Sequence, residues 1–168
     1  MKGKIAIGVI LVFLVGLVMA APVPASTATE DLTINAAVAS RATLTLGSSA
    51  INFPDADPDE TLSIPANEGA VSVTAKARTG STGAVTLTVL AGGDLTSGSD
   101  TIAVGNVTWT AAGTGFAGGT MNKTEAQSAG SWTGPGNRTG TFSYSLANSW
   151  DYVSGSYTAT ATYTLTSP

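Results

Sequence analysis

Asp55, Asp57, Asp59 and Glu60 place four carboxylates in six residues, flanked by Pro54, Pro58 and Pro65. Hard oxygen ligands at alternate positions suit Ca2+, so this turn is the one metal or cofactor site the sequence offers. An EF-hand loop counted from Asp55 requires glycine at its sixth place and glutamate at its twelfth, where this chain has Glu60 and Ala66. A solvated acidic turn therefore stands beside the metal reading. Acid–base catalysis by a carboxylate pair needs one member buried with a raised pKa, and nothing near this stretch suggests a pocket. The chain has no Cys and no His, which removes disulfides, zinc fingers, thiolate nucleophiles and hydroxyl–imidazole triads. The inventory predicts that the protein is not an enzyme.

Trp109, Trp132, Trp150, Tyr144, Tyr152 and Tyr157 are enough to build a stacking platform for sugars. In a chain rich in Thr, Ala and Gly, large aromatics more readily serve as the core, because the small residues bury little area each. Trp150-Asp-Tyr152 is the best exposed candidate. Three glycosylation sequons begin at Asn106, Asn122 and Asn137. Asn106 falls within a predicted strand pair, so Asn122 and Asn137 are the better acceptors.

The elements that must position these residues are strands. The chain holds 26 Thr and 17 Ser in 168 residues, a composition that favours pleated sheet and turn over helix. Val71, Val73, Ala75 and Ala77 alternate with polar residues, as do Val85, Leu87 and Val89, then Phe142, Tyr144 and Leu146. Ile102 and Val104, followed by Val107 and Trp109, form a further pair of short strands. Gly80-Ser-Thr-Gly83 has hairpin spacing between two of these runs. Residues 111–140 carry eight glycines and read as a long loop excursion pinned by Phe116 and Trp132. The whole predicts an all-β immunoglobulin-like antiparallel β-sandwich, with a barrel as the alternative.

Ahead of the strands, Lys2 and Lys4 precede an apolar run from Ile5 to Ala20 with small residues at Ala20, Ala21 and Ala25. This is the pattern of a secretory signal peptide over residues 1–25, removed to leave Ala21 or Ser26 first; the run falls short of the ~20 residues of a membrane span. The expectation is a secreted protein with no membrane segment after cleavage. The processed chain keeps five basic residues against eleven acids, a net charge of about −6, which disfavours nucleic acid as a partner.

The segment behind the leader carries the strongest functional signal. Leu32, Ile34, Ala36, Val38, Ala42, Leu44 and Leu46 share one parity from Glu30 to Leu46, broken only by Ser40. A strand of that length would span about 56 Å, well beyond an ordinary strand. Either the chain bends near Ser40-Arg41 and crosses between sheets, or residues 26–40 leave the domain at 41–168 and pair with another subunit.

With the closing run Gly155-Ser-Tyr-Thr-Ala-Thr-Ala-Thr-Tyr-Thr-Leu-Thr166, this arrangement resembles the secreted β-sandwich subunits of bacterial surface fibres. The families concerned are the chaperone-usher pilins and their spore-coat-protein-U-like relatives. The resemblance implies a sandwich short of one strand and completed by the next subunit's N-terminal extension. It implies a homopolymer and a periplasmic assembly chaperone as partners. Leu32, Ile34, Ala36 and Val38 would be the donor residues, and Tyr157, Ala159, Ala161, Tyr163 and Leu165 would border the acceptor groove. The chain departs from the pilins in lacking a cysteine pair and in ending Leu165-Thr-Ser-Pro168 without a penultimate aromatic. The leading expectation is a structural subunit of an extracellular filament. A monomeric secreted module binding carbohydrate or a surface ligand, with its first strand folded back, is the alternative.

Overall fold

The computed structural model describes residues 25–168, so all but the last residue of the predicted signal peptide lies outside the described residues. The chain divides into a unit ending at Ala36 and a unit spanning Ala37–Pro168. In the first, residues 25–36 form neither helix nor strand and are exposed. The long first strand expected from Glu30 to Leu46 is thus regular only over β1, Arg41–Leu46. The reason is that alternation makes a strand only where a ladder partner exists, and β2 supplies one from Arg41 onward.

The second unit is all-β and antiparallel. In chain order its strands are β1, β2 (Ser63–Arg78), β3 (Ala84–Ala91), β4 (Leu95–Ser97) and β5 (Asp100–Ile102). After a 3₁₀ turn at Val104–Asn106 come β6 (Val107–Ala112), β7 (Gly119–Thr120), β8 (Gln127–Thr133), β9 (Gly136–Ala147) and β10 (Ala161–Thr166). One curled sheet has the order β1-β2-β9-β6-β7, a second has β10-β3-β8, and β4-β5 is a separate hairpin. Val71, Val73, Phe142 and Trp109 from the first sheet share one core with Leu87, Val89 and Ala129 from the second.

The period-2 reading of β2, β3 and β9 matches the burial. In β2, Val71, Val73, Ala75 and Ala77 are buried while Ser72, Lys76 and Arg78 are exposed. Phe142 sits at the centre, edge-on to Phe116 and stacked on Tyr163 with ring centroids 5.7 Å apart in each pair. Full burial of such a side chain contributes about 1.5–3 kcal/mol by area.

Two connections depart from their local sequence signals. Gly80 to Gly83 joins strands of different sheets, since β2 pairs with β1 and β9 whereas β3 pairs with β10 and β8. It is an arch over the core, because the apolar faces of β2 and β3 meet that core from opposite sides. The glycine-rich stretch 111–140 is also no loop excursion: it contains β7, β8 and the start of β9. Its glycines let backbones approach closely. A Cβ at Gly130 would strike the Gly115 carbonyl, and one at Gly140 the Ala112 carbonyl.

β2 runs the length of this unit. At one end Ile64 pairs with Leu146, which pairs in turn with Val107; at the other, Ala77 pairs with Gly136 and Arg78 with Arg41. On the paired strand the same ends, Ala147 opposite Ser63 and Gly136 opposite Ala77, are eleven steps apart, about 36 Å at the usual strand rise, the irregularity between Pro65 and Ala70 absorbing the extra residues of β2. β10 finishes at the Arg78 end, where Ser167 donates a hydrogen bond to the Arg78 carbonyl and Thr79 to that of Pro168.

Candidate functional site

Along one side the two sheets meet without a ladder between them, β1 and β10 lying with Cα atoms within 8 Å but unpaired. β1 is the outer strand of the first sheet and β10 of the second, and each turns an apolar row toward the interior that is only half-buried: Leu44 and Leu46, and Tyr163 and Leu165. Toward the Ser63 end the two strands are succeeded by irregular chain, and a cleft of about 1120 Å³ opens there. Its floor includes core residues Val71, Leu95, Val107, Met121 and Leu146, with Ile51 and Phe53 on one wall and Tyr157 to Tyr163 on the other. A cleft that reaches the core is costly, since side chains lining a void forgo contacts on that side.

Local chemistry holds the walls apart. On one side Asn148 donates from Nδ2 to the carbonyls of Ala56 and Thr61, both at 3.0 Å, fixing the segment that carries Ile51 and Phe53. On the other, Tyr157 donates to the Val153 carbonyl at 2.7 Å, and Thr96 and Thr158 exchange backbone hydrogen bonds of 2.9 and 3.0 Å. The closing run was expected to be a strand from Gly155, but pairing begins at Ala161, opposite Ala91. Beyond Ala91 the pairing continues only irregularly, with Gly92 donating to the Thr160 carbonyl at 2.8 Å before the Thr96–Thr158 bridge. Of the predicted edge residues, Ala161, Tyr163 and Leu165 therefore lie in β10, whereas Tyr157 and Ala159 line the groove from irregular chain.

Within the groove Tyr144 and Tyr163 join across the two sheets, their hydroxyl oxygens 2.9 Å apart. Burial raises both above the ordinary tyrosine value; for Tyr163 the hydrogen bond with Tyr144 raises it further, while for Tyr144 the bond offsets part of the rise. The pair is polar where its surroundings are apolar.

Residues Leu32, Ile34 and Val38, predicted as the donor row, are 86%, 84% and 70% exposed. Three large aliphatic side chains on one parity are thus exposed to water.

The acidic turn does not assemble as a cage. Asp57 Oδ1 accepts the Asp59 backbone N–H at 2.9 Å, and Asp59 Oδ1 accepts the Trp150 indole N–H at 3.0 Å. Among the described residues no three metal-ligating side chains of His, Cys, Asp or Glu come together. Each carboxylate is turned to a local donor or to water, so the geometry brings no ligand set to one point. Trp150 itself is 69% exposed, while Trp109 and Tyr144 are buried in the core. Asn106 donates to the Tyr152 hydroxyl at 2.9 Å and is half-buried, whereas Asn137 is exposed and the Asn122 side-chain oxygen caps a turn at Thr124 and Glu125.

The groove wall at Ile51 and Phe53 was missed by sequence reasoning. Its signal was present, since the two alternate about Asn52, but the neighbouring carboxylates drew the reading toward a charged turn. Comparison with family models, with curated proteins and with solved structures finds no match.

Proposed function

We propose that the protein is a structural subunit of an extracellular filament, in which residues 30–39 of one copy lie in the groove of the next as an added strand. The observation that carries this reading is the groove: an apolar cleft open to the core beside the unpaired edge of β10. An incoming strand would bond its backbone to that edge and place alternate side chains on the groove floor, the division of labour in strand addition. The donor row Leu32, Ile34, Ala36 and Val38 has the required period of two. On this reading the two sheets are an immunoglobulin-like sandwich lacking one strand, resembling the chaperone-usher and spore-coat-protein-U-like subunits. The leader implies export, and an assembly chaperone would shield the groove before polymerisation.

The direction of the chain favours exchange over folding back. Residue 41 joins the body at the Arg78 end, whereas the groove opens at the Ser63 end. A donor segment joined to the body at the end away from the groove would make a head-to-tail contact, which propagates as a filament unless rotation closes it.

The test is Ile34→Asp in the full secreted chain. Ile34 is exposed, so the thermal midpoint of the unassembled subunit should not move, while a charge carried into the groove should abolish filaments seen by electron microscopy. Deleting residues 30–39 should do the same. Filaments of ordinary length from both variants would sink the reading. The exposed indole of Trp150, oriented by Asp59, favours a second reading as a carbohydrate-binding module; a soluble monomer whose glycan binding is lost in Trp150→Ala would support it instead.

A further inference from the structure

We propose that the body is electrically polar along β2 and that this polarity docks copies of the chain head to tail, an inference that rests on the strand-addition reading and identifies the surfaces that orient it. Arg41 lies directly opposite Arg78 across the β1–β2 ladder, and Lys76 is two residues from Arg78 on β2, opposite Thr43. By the alternation of strands all three side chains leave the same face, and all are exposed. Arg138, opposite the buried Ala75 on β9, lies on the inner face and is half-buried, so it does not join this exposed set. Segments 78–84 and 131–140, which turn there, contain no Asp or Glu.

Like charges directly opposite each other in a ladder are destabilising. Among the described residues the one ion pair is Lys123 with Asp94, so Arg41, Lys76 and Arg78 are not neutralised within the body. At the groove mouth the sign is reversed. Asp55, Asp57, Asp59, Glu60 and Asp151 are all exposed, and they are tied into one rim by the Trp150–Asp59 and Asn148–Ala56 hydrogen bonds. The fifth basic residue of the body, Lys123, is already held by Asp94.

A second copy of this chain is the partner these two surfaces fit. A contact between two like ends would set cations against cations or carboxylates against carboxylates. A head-to-tail contact sets three exposed cations against five carboxylates. It also brings Arg41, where the donor segment leaves the body, to the mouth of the neighbouring groove, so the docked orientation is the one that delivers the strand. The charges then govern the rate and direction of encounter, while the ladder and the apolar row govern permanence.

Filament growth of the full chain after leader removal, followed by light scattering and electron microscopy, tests this. In ~10 mM salt, where the Debye length is ~30 Å, Arg41→Glu with Arg78→Glu should slow growth about tenfold or more. Asp55→Lys with Glu60→Lys, neither of which makes a side-chain hydrogen bond, should slow it comparably. All four changes in one chain should restore it, and in ~1 M salt the differences should vanish. Thermal midpoints guard against misfolding, and Arg41→Gln with Arg78→Gln gives a milder version of the same slowing.

Growth indifferent to single-ended reversal, slowing that persists in high salt, or no recovery in the fourfold variant each overturns polar docking. Loss of basic-end variants from an anionic glycan with growth unchanged overturns it too, in favour of that ligand. The two readings fail separately: filaments that survive deletion of residues 30–39 remove strand addition, whereas filaments lost on deletion yet insensitive to charge and salt remove only the docking.

Discussion

Tyr144 and Tyr163 show how one pair of side chains can serve both halves of a split core. Each contributes a ring to the cluster around Phe142 and a hydroxyl to the other. Because burial raises both above the unfolded value of 10.0, the folded chain holds its phenolic protons while the unfolded chain gives them up. Stability is therefore intact below pH 10 and falls as pH rises above it. Tyr163→Phe should flatten that alkaline decline, measured as urea midpoint against pH; an unchanged slope would place the dependence elsewhere. At the acid side the signs reverse. Asp94 is held below its ordinary 3.8 by Lys123 and by the Val104 N–H, and Glu68 below 4.5 by hydrogen bonds from Asn52. Their contributions are present at neutral pH and lost as pH drops through the lowered values. Two donors stay unpaired: Trp132 Nε1 and Arg138 Nε are buried with no acceptor among the described residues, and the fold gives no account of them.

Among the elements, β8 depends most on what it lacks. Ala129 is fully buried and Gly130 lies against the Gly115 carbonyl, so Gly130→Val should cost about 1–3 kcal/mol through overpacking, read from urea unfolding; a cost near zero would mean that the 113–116 turn yields easily. β1 and β10 have the opposite character. Their inner rows are half-exposed, and an unpaired edge beside an apolar cleft is a template for another strand. The rim segment 48–58 and the irregular chain before β10 frame that template without covering it.

At the scale of the molecule, the groove opens at the Ser63 end of the body, whereas residue 41 joins it at the Arg78 end. A synthetic peptide of residues 28–40, added to the full chain carrying Ile34→Asp, should raise its thermal midpoint. The gain is about 2.7 kcal/mol when the peptide stands at roughly 100 times its Kd, and a peptide carrying the same Ile34→Asp change should give none. No shift at any concentration would argue that the groove is not a strand site. With the charge reversals above, this separates what holds neighbouring copies from what aligns them.

Sequence alone determined the class of structure and the faces of its strands. The absence of Cys and His bounded the chemistry, and alternation in β2, β3 and β9 marked which residues are buried, because side chains in a strand point to opposite faces in turn. The same alternation over Leu32, Ile34, Ala36 and Val38 predicted a strand where the chain is irregular and exposed. Alternation names a face but not a neighbour, however. Only the tertiary structure decided that Gly80 to Gly83 arches between sheets, that the glycines of 111–140 serve close-packed strands, and that regular pairing starts at Arg41 and at Ala161. It alone gathered Ile51, Phe53, Met121 and Tyr163 around one groove and set Arg41 beside Arg78 far from the acidic rim. Those facts depend on which strands meet across long stretches of chain, and the free energy that selects such partners is spread over the whole core, so no local spacing carries it.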